Sequence, residues 1–240
     1  RRPNRLSDLL SEPDLIDHLF DPRLGIDKVP SLLLVFGVLV HRVAADLFGA
    51  NFVSDWAGPK CRLPVFDVEP LQEFLEAPGR CWYLIDLLDS FATSVGPTGP
   101  SPAAIASQIE TAPPAVRGQM LRKLGDLALF MTGIFPDHTG ATPVTPVDAE
   151  RLGRTAGMTA GEILTLSTGR LPSTAALEWM EALGERWYRM AIDQGKAASH
   201  PVPLVVGDVA LRFTAGRRVL NLVADRYLNH SQPDWFPGAA

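Results

Sequence analysis

Proline limits how far any helix in this chain can run. Its ring removes a backbone donor and clashes with the preceding turn, so it ends or kinks a helix interior but suits a first turn. Prolines number 21 among 240 residues, about twice the usual ~5% share. A helical fold built from this chain must therefore use short, punctuated helices.

Helical periodicity is nonetheless the dominant pattern. Ser7 predicts a short capped helix over Asp8–Ser11, and Asp14–Phe20 continues it after Pro13. Pro30 suits the first turn of a helix carrying the most apolar run, Leu32–Val40, and ending near Gly49. That run is far short of the ~20 residues a membrane span needs, and it lies too far inside the chain to be a signal-peptide core. It reads as a core helix whose first half is surrounded by others.

Asn51–Pro64 is expected to be irregular, and Asp67 to cap a helix through Ala77. Trp82, Leu84, Ile85, Leu88, Phe91, Ala92 and Val95 recur at helical spacing. Ser101-Pro102 restarts a short helix, and Pro113-Pro114 opens a longer one that Pro136 stops. Asp137–Pro146 reads as a loop, followed by two short helices joined around Gly157. Ser173 caps an amphipathic helix, and Asp208 caps a final one through about Leu228. Leu204-Val205-Val206 is the one short β-branched run outside these segments, and it lacks a partner. The expected fold is all-α, an irregular multi-helix bundle with short Pro/Gly-punctuated helices in a single helical domain, 1–240. If the chain forms two lobes, 1–95 and 103–240, the GPTGPSP segment 96–102 joins them.

Several function classes are disfavoured. The net charge of -5 argues against broad attraction to nucleic acid or anionic lipid, and adjacent basic residues occur only at Arg1-Arg2, Arg122-Lys123 and Arg217-Arg218. Cys61 and Cys81 make neither a disulfide framework nor a CxxC, which suits reduced thiols in a cytoplasmic protein. There is no GxGxxG or GxSxG, and Gly195-Lys196 lacks the earlier glycine of a phosphate loop. No Glu-x-x-His occurs, so a bundle-type metal site is not expected, nor is any cofactor. Glu178, Glu181 and Glu185 share a helical face, with Glu185 four residues before Arg189, and read as a solvated, ion-paired surface.

Three polar features remain. Of the histidines His18, His41, His138, His200 and His230, His41 stands out because it follows the apolar run, with Asp46 about a turn later. Asp126 sits in an apolar stretch beside Gly125, which permits close helix approach, and Arg122 four residues earlier is positioned to pair with it. His41, Arg122 and Asp126 are thus the polar groups of a candidate pocket. Val147–Leu166 has the spacing of a helix-turn-helix, with Gly157 in the turn and Gly153 at the crossing. In that reading Arg154, Thr159 and Arg170 would contact nucleic acid. The would-be recognition helix carries no Arg or Lys before Arg170, so an ordinary αα-corner is the stronger alternative.

The segment Leu124–His138, with Pro64-Val65-Phe66-Asp67 and Arg217-Arg218-Val219-Leu220-Asn221, resembles a family of helical actinobacterial proteins with no established activity. The resemblance implies a bacterial cytosolic protein and transfers no functional residue. The leading expectation is a non-enzymatic interaction or regulatory protein that self-associates or binds a protein partner, with Trp235 and Phe236 as docking aromatics. A DNA-binding regulator using 147–169 is one alternative. A small-molecule binder or enzyme with a pocket near His41 and Asp126 is the other.

Overall fold

A computed structural model describes residues 31–94, 101–142, 144–167, 173–197 and 202–228. The expected helices within Ser7–Phe20, most of the 96–102 linker, Arg170 and the Trp235-Phe236 tail lie outside the described residues. The described residues form eleven α-helices and one two-stranded hairpin, an almost wholly α-helical fold. They group into two compact units, one holding 31–55, 64–94 and 218–228, the other 56–63 and 101–217.

The prolines shape this fold by starting helices as much as by stopping them. Helices α3 (Pro78–Ser94), α4 (Pro102–Thr111), α5 (Pro114–Ile134), α6 (Pro136–Ala141) and α7 (Pro146–Thr155) each begin on a proline. The missing N–H costs nothing there, because first-turn donors have no intrahelical acceptor. Pro136 illustrates both effects, ending α5 and opening α6 where a loop was expected. The Thr139 hydroxyl donates to the carbonyls of Met131 and Phe135, each at 2.9 Å, and ties the two helices together.

In the first unit, α1 (Leu32–Phe48) is capped by Ser31, whose Oγ accepts from the Leu34 amide at 3.4 Å. Val35, Phe36, Val38, Leu39 and Val40 are all buried, so the first half of α1 is enclosed on more than one face. It packs mainly against α3 and then α2 (Glu69–Glu76). Asp67 is not the cap of α2; Val68 holds that position without a side-chain bond. At the other end, Arg80 donates to the carbonyls of Phe74 (2.8 Å) and Glu73, and its guanidinium lies over the Phe74 ring. On α3 the buried stripe is Tyr83, Leu84, Leu87 and Leu88, with Ile85 beside it, and Trp82 turns outward. The expected stripe was therefore one residue out of phase at its start.

The region expected to be irregular forms a hairpin, β1 (Val53–Gly58) and β2 (Cys61–Val65). Its turn places Gly58 and Lys60 at positive φ, 145° and 57°. The Trp56 indole and the Lys60 amide both donate to Asp137 Oδ1, at 2.7 and 3.4 Å, which anchors the turn on α6. In the first unit, buried Asp55 pairs with Arg218 at 2.7 Å.

The second unit is built around α5 and α9 (Ser173–Ala197). Gly118 lies against Ala191 and Gly195, Gly125 against Tyr188, and Ala128 beside Gly184, so the two helices run antiparallel. The final segment is not one helix. α10 (Val205–Leu211) absorbs the expected β-branched run and places Asp208 in its first turn, not at its cap. The chain breaks at Arg212, continues as α11 (Phe213–Val223), and ends in a π-helical turn over Ala224–Leu228. Phe213 is buried against Gly184, with its ring 5.9 Å from that of Tyr188, which gives the break a packing cause.

Candidate functional site

An aromatic surface on the first unit stands out because large apolar side chains are normally withdrawn from water. Leu47, the last buried residue of α1, is followed by Phe48, and a 100° step around the helix carries that ring to the outside. The chain then turns, with the Ala50 amide donating to the Leu47 carbonyl at 3.2 Å. Phe52 follows directly and meets Phe66, their ring centroids 5.9 Å apart in a tilted arrangement. Phe48, Phe52 and Phe66 are 90%, 51% and 72% exposed. At 150–250 Å² per phenylalanine, the exposed parts of these three residues sum to roughly 400 Å² of apolar surface, a scale that within one patch marks an interaction site. Gln72 of α2 donates to the Leu47 carbonyl at 2.7 Å and holds α2 to this end of α1.

None of these phenylalanines belongs to a helical stripe, which is why periodicity passes over them. The available signal was their position at the edges of regular elements, Phe48 as the last residue of α1 ahead of Gly49 and Phe66 between Pro64 and Val68. Trp235 and Phe236, the aromatics expected to dock, lie outside the described residues.

The polar groups singled out by sequence are distributed as follows. His41 lies half-buried on α1 in the first unit. Asp46, a turn later, takes Arg226 at 2.5 Å, the Tyr227 hydroxyl at 3.0 Å and Arg42 at 3.8 Å. Burial first, and then the Asp46 charge, raises the Tyr227 phenol above its usual range. Asp126 lies in the second unit, where Arg122 approaches it at 3.6 Å and the Tyr188 hydroxyl donates to it at 2.8 Å. Both oxygens of that carboxylate are thereby engaged by side chains of its own unit.

Helices α7 and α8 (Ala160–Ser167) form the corner that the spacing suggested. Gly157 takes φ 67° in the turn, and a Cβ on Gly153 would come within 2.7 Å of Ile163. Thr159 and Glu162 make a reciprocal capping box: Glu162 Oε2 accepts from the Thr159 amide at 2.7 Å, and Thr159 Oγ1 accepts from the Glu162 amide at 3.3 Å. Glu162 also pairs with Arg186 at 2.7 Å. Arg154 bridges Glu110 and Glu150, at 3.1 and 3.0 Å. The arginine and threonine expected to face nucleic acid thus both have carboxylate partners within the fold.

The capping box lowers the Glu162 carboxyl to about 2, through the Thr159 amide first, its hydroxyl next and Arg186 after them. The unfolded value is about 4.3. A depressed folded value means the stabilisation is fully present above the unfolded one and is lost as pH falls toward 2. Replacing Glu162 by glutamine should flatten the decline in the denaturation midpoint between about pH 4.5 and 2.5. Parallel midpoint-against-pH curves for the two proteins would show that the box contributes nothing.

Among the described residues no group of three or more His, Cys, Asp or Glu is arranged to hold a metal, and no described helix is long and apolar enough to cross a membrane. Comparison with protein-family models, curated proteins and solved structures gives no match.

Proposed function

We propose that this is a non-enzymatic interaction protein that docks a protein partner on the aromatic surface of its first unit. One observation carries the reading: Phe48, at the end of α1, and the Phe52–Phe66 pair that follows the turn each leave half or more of their surface in water. Covering such rings gains the hydrophobic free energy that folding left unused, and aromatic residues dominate the energetics of protein interfaces. The helix pair α7–α8 is less suited to duplex DNA, because Arg154 is already neutralised by Glu110 and Glu150.

A photo-crosslinking residue placed at Phe48 in cells should capture one dominant protein species, which the same group at exposed Val147 does not capture. Adding Phe52→Ser and Phe66→Ser should remove that adduct and weaken the purified complex by roughly 30-fold, the effect of losing an aromatic anchor pair worth about 2 kcal/mol. Because both rings are exposed, circular dichroism and the unfolding midpoint should hardly change. Equal adducts at Phe48 and Val147, or an adduct indifferent to the serine substitutions, would exclude this surface.

A further inference from the structure

The charge beside the phenylalanines says what kind of partner they accept. Among the described residues of the first unit, nine carboxylates stand against four arginines. All four arginines are engaged: Arg42 and Arg226 on Asp46, Arg218 on Asp55, and Arg80 on the last carbonyls of α2. Asp67, Glu69, Glu73 and Glu76 are exposed and have no ion-pair partner among the described residues.

Their placement is specific. Asp67 directly follows Phe66. Glu69 and Glu76 lie three residues before and four after Gln72, whose side chain reaches the carbonyl next to Phe48. Residues at those spacings share a helix face, so carboxylates flank the contact that joins α2 to the aromatic surface. Glu69 suits the helix N-terminus, but Glu73 and Glu76 occupy the last turn, where a carboxylate opposes the helix dipole. Helix stability therefore does not account for them.

Resting on the docking proposal above, we infer that the occupant is a basic amphipathic segment of a partner protein, with apolar side chains on the phenylalanines and Lys or Arg facing Asp67, Glu69, Glu73 and Glu76. A second copy would bring like charge against like, and anionic lipid or nucleic acid would be repelled in the same way.

The test uses the full chain and two labelled 18-residue amphipathic peptides, one of leucine and lysine and one of leucine and glutamate, followed by fluorescence anisotropy. The lysine peptide should bind and the glutamate peptide should not. Affinity should fall at least tenfold with Phe52→Ser/Phe66→Ser, at least tenfold with Glu69→Gln/Glu73→Gln/Glu76→Gln, and steeply as salt rises from 50 to 300 mM. Binding that needs the phenylalanines but ignores peptide charge, the glutamates and salt would overturn the charge assignment and leave the docking surface standing. Binding that needs only the glutamates would overturn both. No binding of the lysine peptide overturns the inference. So does a wild-type dimer in sedimentation that Phe52→Ser/Phe66→Ser dissolves, which would assign the surface to a second copy.

Discussion

Replacing Glu181 with glutamine is expected to destabilise the protein by about 3–5 kcal/mol, the usual effect of removing one partner from a buried ion pair. Arg217 and Glu181 meet at 2.5 Å, with side chains only 4% and 14% exposed, and Thr214 donates to the second carboxylate oxygen at 2.9 Å. The arginine cannot lose its proton at any ordinary pH. With the Glu181 charge removed it stays ionised in a site that water barely reaches. A double variant, Glu181→Leu with Arg217→Met, should recover most of the loss, since apolar replacement of a whole buried pair is often neutral. Glu185 offers the contrast. It pairs with Arg189 four residues on at the surface, and Glu185→Ala should cost less than about 0.5 kcal/mol. Denaturant titrations of the four proteins form the check. A loss below about 1 kcal/mol for Glu181→Gln would mean that Arg217 finds water or another acceptor.

Gly125 should tolerate a side chain no better. A Cβ there would lie 2.5 Å from the Tyr188 ring, and Tyr188 is fully buried with its hydroxyl on Asp126. Valine at this position must push the ring away from α5 and loosen that hydrogen bond. Overpacking of this kind costs about 1–3 kcal/mol and the hydrogen bond about 1 more, only partly offset by better helix propensity. A net loss of about 3 kcal/mol is expected for Gly125→Val. Gly37, inside α1 with nothing within 4 Å of its would-be Cβ, should behave oppositely. Gly37→Ala should gain up to about 1 kcal/mol from propensity alone. If both substitutions move the unfolding midpoint in the same direction, contact with Tyr188 is not what requires glycine at 125.

These two positions also separate what the sequence made legible from what it hid. The Arg122–Asp126 pair and the close approach at Gly125 could be anticipated, because both follow from residues within one or two turns of each other. That Tyr188 supplies the other half of the site could not, since it stands 62 positions away. The three glutamates on α9 looked alike, as one solvated face. Only Arg217 and Thr214, brought from a distant helix, turn Glu181 inward while Glu185 remains outside. Arg217 and Arg218, adjacent in sequence, resemble a basic patch but are neutralised separately by Glu181 and Asp55. The hairpin escaped notice for the same reason. Its first strand carries Asp55 where a core strand would carry an apolar residue, and the arginine that permits this lies 163 residues further on. The candidate docking surface was the least legible part: the helix end at Gly49 sets Phe48 apart from the buried Phe36, but nothing local says that its ring stays uncovered.

Sequence alone determined the helical character, the helix starts at Pro102 and Pro114, the burial of most of Val35–Val40 and the corner at Gly157. Each rests on backbone sterics or on neighbours three to four residues apart, interactions that exist before the chain is compact. Tertiary structure decided the hairpin, the break at Arg212, the outward turn of Trp82, the partial burial of Glu181 against Arg217 and the exposure of the three phenylalanines. Each of these depends on which distant element covers a residue, and a helical stripe specifies a buried face without naming what buries it. Exposure is the extreme case, because whether a ring stays in water depends on what the rest of the unit brings over it, and the residues beside it carry no mark of that.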